Sequence, residues 1–145
     1  MAILNYTTTI TTEKTASEIQ RKLANAKAQA ILCEYDDEQV MCAMSFRIMT
    51  PHGMIFFRLP ANTAGVYVAL NNDGSVPKRL RTKEQAARVA WRILKDWVEA
   101  QLAIVDAEMA QMAEVFLPYA QNDSGETLYQ SIESGGFRAL THNAI

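Results

Sequence analysis

The feature that most constrains this fold is a long stretch of chain without helix-breaking residues. Between Thr82 and Leu117 there is no glycine and no proline. Thr82, with Gln85 three residues later, has the form of a capping box at a helix N-terminus. The stretch therefore predicts a helix of about 35 residues, which would be roughly 53 Å long at the usual rise per residue.

Two apolar stripes run along this predicted helix, so two of its flanks need burial. The first stripe comprises Leu94, Val98, Leu102, Val105, Met109, Met112 and Phe116, and the second comprises Val89, Ile93, Trp97, Ala100 and Ile104. A compact chain of 145 residues has a radius of gyration of about 15 Å, so an unbroken helix would extend beyond its own domain. We expect the helix to bend, to lie in a crowded core, or to be covered by a partner.

The segments around this helix predict a mixture of strands and helices. Strands are expected at about residues 3–10, 28–35, 39–50 and 54–59, and shorter helices at about 12–27, 61–70 and 126–133. The last two strands flank the tight-turn sequence Thr50-Pro51-His52-Gly53. The length suits one domain with one core. Residues 1–145 therefore predict a single α+β domain, a small antiparallel sheet packed on helices, with a strand, helix and three-stranded meander over 1–60 and a helical part over 61–145.

No sequence motif predicts catalysis, a cofactor or a metal site. Cys33 and Cys42 have no metal-ligand spacing and are expected to be reduced and mostly buried. His52 and His142 are too far apart in sequence to suggest a metal site, and residues 36–38 (Asp-Asp-Glu) predict a solvated hairpin turn. The start of the chain lacks a signal peptide and no run is long enough to span a membrane, so a cytoplasmic protein that does not bind membranes is expected.

The net charge of −2 is an average over unequal segments. Residues 76–95 contain 7 basic and 1 acidic side chains, whereas residues 96–145 contain 1 basic and 8 acidic side chains. The boundary falls inside the predicted long helix. Its polar face is basic at one end and acidic at the other, through Arg88, Arg92 and Lys95 and then Glu99, Asp106 and Glu114.

This charge division has three possible explanations. An antiparallel pair of such helices would set each basic half against the acidic half of its partner, which predicts a homo-oligomer, a dimer or higher, through the long helix. An anionic ligand could instead be held by Lys78, Arg79, Arg81, Arg88 and Arg92. The third explanation is a solvated helix face with uneven charge.

The predicted hairpin at Pro51 and His52 provides a second candidate site. Residues whose numbers sum to about 103 should face one another, which sets Arg47 opposite Phe56 and Ser45 opposite Arg58 on one face. Arginine side chains and an aromatic ring on a sheet face are used to hold phosphates and stack bases. Alternatively, both arginines could pair with carboxylates of a covering helix or of a neighbouring subunit.

Four stretches resemble a family of small phage and prophage proteins of unsettled function. They are FRIMTPHG (46–53), FRLP (57–60), RVAWRILKDWVEAQ (88–101) and VFLPY (115–119), and the similarity spans most of the chain. The resemblance implies a small accessory protein of a virus and supplies no known site residues. A helix, a three-stranded meander and a helix opening with RTKEQAA (81–87) are also similar to double-stranded RNA-binding domains, which lack the intervening helix and contain a loop motif that is missing here.

Together these features predict a non-enzymatic phage accessory protein that binds a phosphate-bearing ligand. That ligand would be single-stranded nucleic acid or a nucleotide signal of a host defence system. Its predicted contacts are Arg47, Phe56, Arg58, Arg79, Arg81, Arg88 and Arg92. The alternative is a protein-interaction module, or an inhibitor, that acts on a host or phage protein through its charged long helix.

Overall fold

Five α-helices and one three-stranded antiparallel sheet form within residues 2–142, the part of the chain that the computed structural model describes. The elements in chain order are α1 (Thr12–Asn25), β1 (Ala30–Tyr35), β2 (Met41–Thr50), β3 (Gly53–Pro60), α2 (Thr63–Asn71), α3 (Lys83–Asp106), α4 (Met112–Val115) and α5 (Leu128–Ser134). Two short 3₁₀ helices cover Lys78–Leu80 and Leu117–Tyr119. The fold class is α+β, as predicted.

The sheet has the strand order β1-β2-β3, and its β2–β3 register is the predicted one. Arg47 lies opposite Phe56, and Ser45 lies opposite Arg58. The turn is fixed by Thr50, whose hydroxyl donates to the Gly53 carbonyl at 2.8 Å. Gly53 has a φ of 109°, a left-handed conformation that favours glycine. The hairpin prediction is therefore confirmed.

One face of the sheet carries the main core, and helices α1 and α3 cover it. The buried side chains of this core are Ala16, Ile19, Leu23, Met41, Met44, Phe46, Ile48, Phe57, Leu59, Ala61, Trp91, Val98 and Phe116. Three phenylalanines meet there, with ring centroids of Phe46 and Phe57 5.2 Å apart and of Phe46 and Phe116 5.5 Å apart. Burial of large aromatic rings stabilises this side of the sheet and leaves the opposite face uncovered by α1 and α3.

Helix α3 ends at Asp106, so the predicted helix of about 35 residues does not form. The chain turns because Glu108 adopts a left-handed φ of 59°. The Met109 N–H then donates to the Ile104 carbonyl, and the Glu108 N–H donates to the Val105 carbonyl, both at 3.0 Å. These two bonds form a Schellman motif, which ends a helix most often at glycine. Here Glu108 occupies the position that is usually glycine, so no glycine in the sequence indicates where α3 ends.

The first part of the second apolar stripe of α3 is covered within the chain, whereas Ala100 further along is exposed. Val89 is buried and Ile93 is partly buried in a second core cluster that α2 and the N-terminal segment complete. That cluster contains Val66, Leu70, Val76, Ala86, Val89 and Ala90, with Ala2, Ile3, Tyr6, Tyr67, Leu80 and Ile93 packed against it. Of the expectations for the long helix, burial in a crowded core is therefore the one that the structure shows for this part of α3.

The predicted strand over residues 3–10 is wrong. The segment forms turns, in which the Thr8 N–H donates to the Asn5 carbonyl at 3.0 Å and Asn5 has a φ of 66°. Two of its carbonyls accept from a side chain and not from a neighbouring strand. The Gln85 amide Nε2 donates to the carbonyls of Tyr6 and Thr8, each at 2.9 Å. Gln85 therefore uses its amide on the N-terminal segment, while Thr82 caps α3 by accepting from the Gln85 N–H.

Replacing Gln85 by methionine is expected to lower the free energy of unfolding by about 1–3 kcal/mol, because two backbone carbonyls lose their donor at a buried position. Amide exchange at Thr8 should accelerate more than exchange in the sheet. Urea denaturation and hydrogen exchange would measure both effects. The matched control is Glu84→Met, an exposed neighbour on the same helix turn, and an equal loss in both variants would contradict this role of Gln85.

Candidate functional site

The face of the sheet opposite the main core is the candidate site, and we call it the open face. It carries Ala30, Leu32 and Glu34 from β1, Ser45, Arg47 and Met49 from β2, and Met54, Phe56 and Arg58 from β3. Several of its apolar side chains are exposed: Leu32 by 62%, Met49 by 58% and Phe56 by 51%. Several exposed large apolar side chains on one face indicate a binding surface more often than a structural one.

A groove of about 790 Å³ lies over this face and is walled on one side by the C-terminal segment. Gln121, Gly125 and Gln130 line it together with open-face residues. The segment reaches the sheet because Ala120 forms a bridge with Phe57, and the Gln121 N–H donates to the Phe56 carbonyl at 2.8 Å. A groove of this size is in the range of sites that hold small organic ligands.

The floor of the groove contains an ion pair. Arg58 Nε donates to Glu34 Oε2 at 2.9 Å, and the Ser45 hydroxyl lies 3.4 Å from the same oxygen. Both charged side chains are about one-third exposed, so the pair contributes little to stability and remains open to exchange with a ligand. Arg58 is therefore held in place by Glu34 and is also accessible from the groove.

Arg47 differs from Arg58 because it has no carboxylate partner within residues 2–142. It is exposed, and the register sets it directly opposite the exposed ring of Phe56. An unpaired guanidinium can donate two parallel hydrogen bonds to a phosphate, and an exposed aromatic ring can stack on a base. These two side chains together can contact both parts of a nucleotide.

The other predicted contacts are not brought to the open face. Arg88 and Arg92 belong to α3, which packs on the opposite face of the sheet. Arg88 donates to the Gln85 side chain at 3.0 Å, and Arg81 donates to the Val76 carbonyl at 2.8 Å. Arg79 is exposed in the short helix Lys78–Leu80. The structure thus unites Arg47, Phe56 and Arg58 and separates them from Arg79, Arg81, Arg88 and Arg92.

The charged face of α3 is largely paired with α1. Arg92 donates to Glu18 at 2.8 Å, and Lys95 lies 4.0 Å from Glu18 and pairs with Glu99. Lys22 of α1 approaches Glu99 at 3.9 Å. The residues at which α3 changes from basic to acidic therefore form ion pairs within the chain.

No group of three His, Cys, Asp or Glu side chains within residues 2–142 could hold a metal ion. No helix in the same range combines the length and apolarity needed to cross a bilayer. Cys33 and Cys42 are unbridged and partly buried, so the prediction that they are mostly buried is only partly met.

Sequence reasoning missed Glu34 and the C-terminal wall. Glu34 follows Ala30 and Leu32 at alternating positions, a pattern that could have placed it on one strand face. The wall residues Gln121 and Gly125 carry no such signal, because a one-residue bridge to Phe57 brings them to the sheet.

The site is therefore a solvent-exposed groove with two arginines, an exposed phenylalanine and a polar wall, and one of the arginines, Arg47, has no carboxylate partner among the described residues. Its chemistry suits a ligand that carries both an anionic group and a flat ring. Comparisons with protein-family models, with curated proteins and with solved structures find no significant match to this chain.

Proposed function

We propose that this protein is a non-enzymatic phage accessory protein that binds a phosphate-bearing ligand on its open face. The ligand is single-stranded nucleic acid or a nucleotide signal of a host defence system. Arg47 contacts phosphate, Phe56 stacks on a base, and Arg58 supplies a second cation at the groove floor.

The observation that carries this proposal is the pairing of Arg47 with Phe56. The two residues are direct partners in the β2–β3 register, and both side chains are exposed. Directly opposed residues have Cβ atoms about 4.5–5.5 Å apart, so the guanidinium and the ring reach the same part of the groove. A mononucleotide has its phosphate and base at a comparable separation.

The charge of the open face determines how strongly ligand affinity should depend on salt concentration. Glu34 offsets Arg58, so only Arg47 carries an uncompensated charge there within the described residues. A single-stranded oligonucleotide bound by one or two phosphate contacts should show a slope of log affinity against log salt of only about −1. A steep slope would indicate binding at another, more basic surface, such as the one around Lys78 and Arg79.

Replacing Arg47 by alanine is expected to reduce ligand affinity by about 10- to 100-fold, because one charge-assisted phosphate contact contributes about 1.5–3 kcal/mol. Fluorescence anisotropy with labelled oligonucleotides tests the nucleic-acid form of the ligand. A thermal shift on addition of mononucleotides, cyclic nucleotides and short cyclic oligonucleotides tests the signal form. The matched control is Arg21→Ala, which removes the same charge from an exposed position on α1.

Two results would contradict this proposal. One is an equal loss of affinity in Arg47→Ala and Arg21→Ala, which would reflect net charge alone. The other is the absence of any binding or thermal shift by the wild-type protein across these ligands at low salt.

A second candidate function is a protein-interaction module acting on a host or phage protein. It is favoured by the exposed apolar side chains of Leu32, Met49 and Met54, which a nucleotide contacting Arg47 and Phe56 would not fully cover. Docking through the charged α3 is less favoured, because Arg92 and Lys95 already pair with carboxylates in the chain. Substitution of Met49 by serine, which removes the apolar side chain without adding charge beside Arg47, should weaken capture of such a partner and leave oligonucleotide binding intact.

A further inference from the structure

The outer edge of the sheet at β1 is open. β1 pairs with β2 on one side, and no strand within residues 2–142 pairs with its other side. The opposite edge of the sheet is different, because β3 is bridged to Ala120. In an antiparallel strand, alternate residues direct their N–H and carbonyl groups outward, so β1 presents a row of backbone groups that can pair with another strand.

This edge lacks the features that normally prevent such pairing. Its sequence, AILCEY, contains no proline and no lysine, and the register shift in its pairing with β2 lies at its end, where β2 has the extra residue Cys42 between the partners of Glu34 and Tyr35. Leu32 at its centre is 62% exposed, and its only charge, Glu34, is held by Arg58. The edge is therefore apolar and electrostatically neutral, which suits contact with an equally apolar strand.

We propose that β1 pairs with β1 of a second copy of this chain, antiparallel and about a two-fold axis at Leu32. Side chains alternate between the faces of a strand, so open-face residues must meet open-face residues across the new contact. Centring the axis on Leu32 sets it opposite its own copy, Ile31 opposite Cys33, and Ala30 opposite Glu34. This register buries the most exposed apolar side chain of the edge against itself.

The same register places opposite charges together. Ala30 is already the β2-facing partner of Arg47, so Arg47 of the second copy would lie in the same row as Glu34, with only the small Ala30 side chain between them. Two strand spacings separate them, about 10 Å from Cα to Cα. Within one chain Arg58, which lies two strands away from Glu34 and in the neighbouring row, reaches it at 2.9 Å, so an arginine side chain is long enough for such a contact. Each Glu34 can therefore receive the otherwise unpaired Arg47 of the other copy, which adds charge complementarity to the pairing.

The resulting dimer has a continuous six-stranded sheet with both open faces on one side. It extends the two grooves across the dimer axis. The inference rests mainly on the backbone of β1 and on Leu32, neither of which contacts phosphate in the proposed function. It shares Arg47 with that proposal, because a phosphate bound to Arg47 would compete with Glu34 of the other copy. It also uses a different surface from a dimer formed through α3.

The oligomeric mass tests this pairing directly. Light scattering of the wild-type protein at micromolar concentrations should give about twice the chain mass of 16.2 kDa. Leu32→Lys should give the monomer mass, because two lysines would face each other across the axis. Met49→Lys places the same charge on the same face at a similarly exposed site near the hairpin turn, and this variant should remain dimeric. A monomeric wild type, or a dimeric Leu32→Lys, would overturn the proposal.

Cysteine cross-linking tests the register. Directly opposed residues of antiparallel strands have Cα atoms about 4.5–5.5 Å apart, within the range that a disulfide bridges. Leu32→Cys should form a covalent dimer under mild oxidation, and Met49→Cys should not. The wild-type protein should also stay uncross-linked, because Cys33 would face Ile31. A covalent dimer through Cys33 would show a shifted register and would overturn the Leu32-centred pairing, as would equal cross-linking of the two variants.

Discussion

Replacing Trp91 by alanine is expected to lower the free energy of unfolding by about 3–5 kcal/mol, a large part of the 5–15 kcal/mol that is typical of a domain. Trp91 has no exposed surface and lies where α3 contacts the sheet and α1. Its removal leaves a cavity in the main core. It also removes the indole Nε1 donor, which bonds the Met41 carbonyl at 2.9 Å in a buried position.

Two further variants separate the cavity from the hydrogen bond. Trp91→Phe keeps a ring but leaves the Met41 carbonyl without its donor, so we expect an intermediate loss of about 1–3 kcal/mol. Val68→Ala, at an exposed position on α2, should change stability by less than about 0.5 kcal/mol. Urea denaturation followed by circular dichroism is the suitable measurement, because the substitutions remove one of two tryptophan fluorophores. A Trp91→Ala variant as stable as Val68→Ala would show that α3 is not anchored through this side chain.

The β2–β3 hairpin could be predicted from the sequence because its turn is short and its residues favour a tight turn. Thr50 and Gly53 bracket two residues, so the register followed from position alone. That register brought Arg47, Phe56 and Arg58 to one face without knowledge of any other element. Local turn chemistry therefore accounts for the part of the candidate site that was predicted.

The β1–β2 register could not be predicted in the same way. Tyr35 pairs with Met41 beside the turn, which by simple counting would set Leu32 opposite Met44. A shift at Glu34 and Tyr35 instead sets Leu32 opposite Ser45. A single-residue bulge thus determines that Leu32 and Glu34 lie on the open face, and no residue type in the sequence marks it.

The remaining errors arose where the local sequence carries no signal for the conformation that forms. The N-terminal segment has strand-like composition, yet Gln85 satisfies its carbonyls and holds it in turns. Helix α3 ends at a glutamate in a left-handed conformation, where sequence rules look for glycine. A tertiary contact thus outweighs local propensity in the N-terminal segment, whereas α3 ends through local backbone hydrogen bonds that form without the glycine that usually marks them.

Replacing Phe116 by alanine is expected to destabilise the protein by about 3–5 kcal/mol and to loosen the C-terminal wall of the groove. Phe116 is fully buried, and its ring meets those of Phe46 and Trp97, each at a centroid distance of 5.5 Å. It is the last deeply buried apolar residue before the segment that carries Gln121 and Gln130. Its loss should therefore release that segment before the sheet unfolds.

Hydrogen exchange distinguishes this local release from global unfolding. The Gln121 N–H bonds the Phe56 carbonyl and the Leu128 N–H bonds the Ala120 carbonyl, both at 2.8 Å, so these two amides report on the wall. In Phe116→Ala they should exchange faster by a larger factor than amides shared by β2 and β3. Leu117→Ala, the adjacent and 46% exposed position, is the matched control and should leave both amides protected. Equal acceleration throughout the sheet and the wall would show that the C-terminal segment unfolds only with the whole domain, and the groove would then be as rigid as the core beneath it.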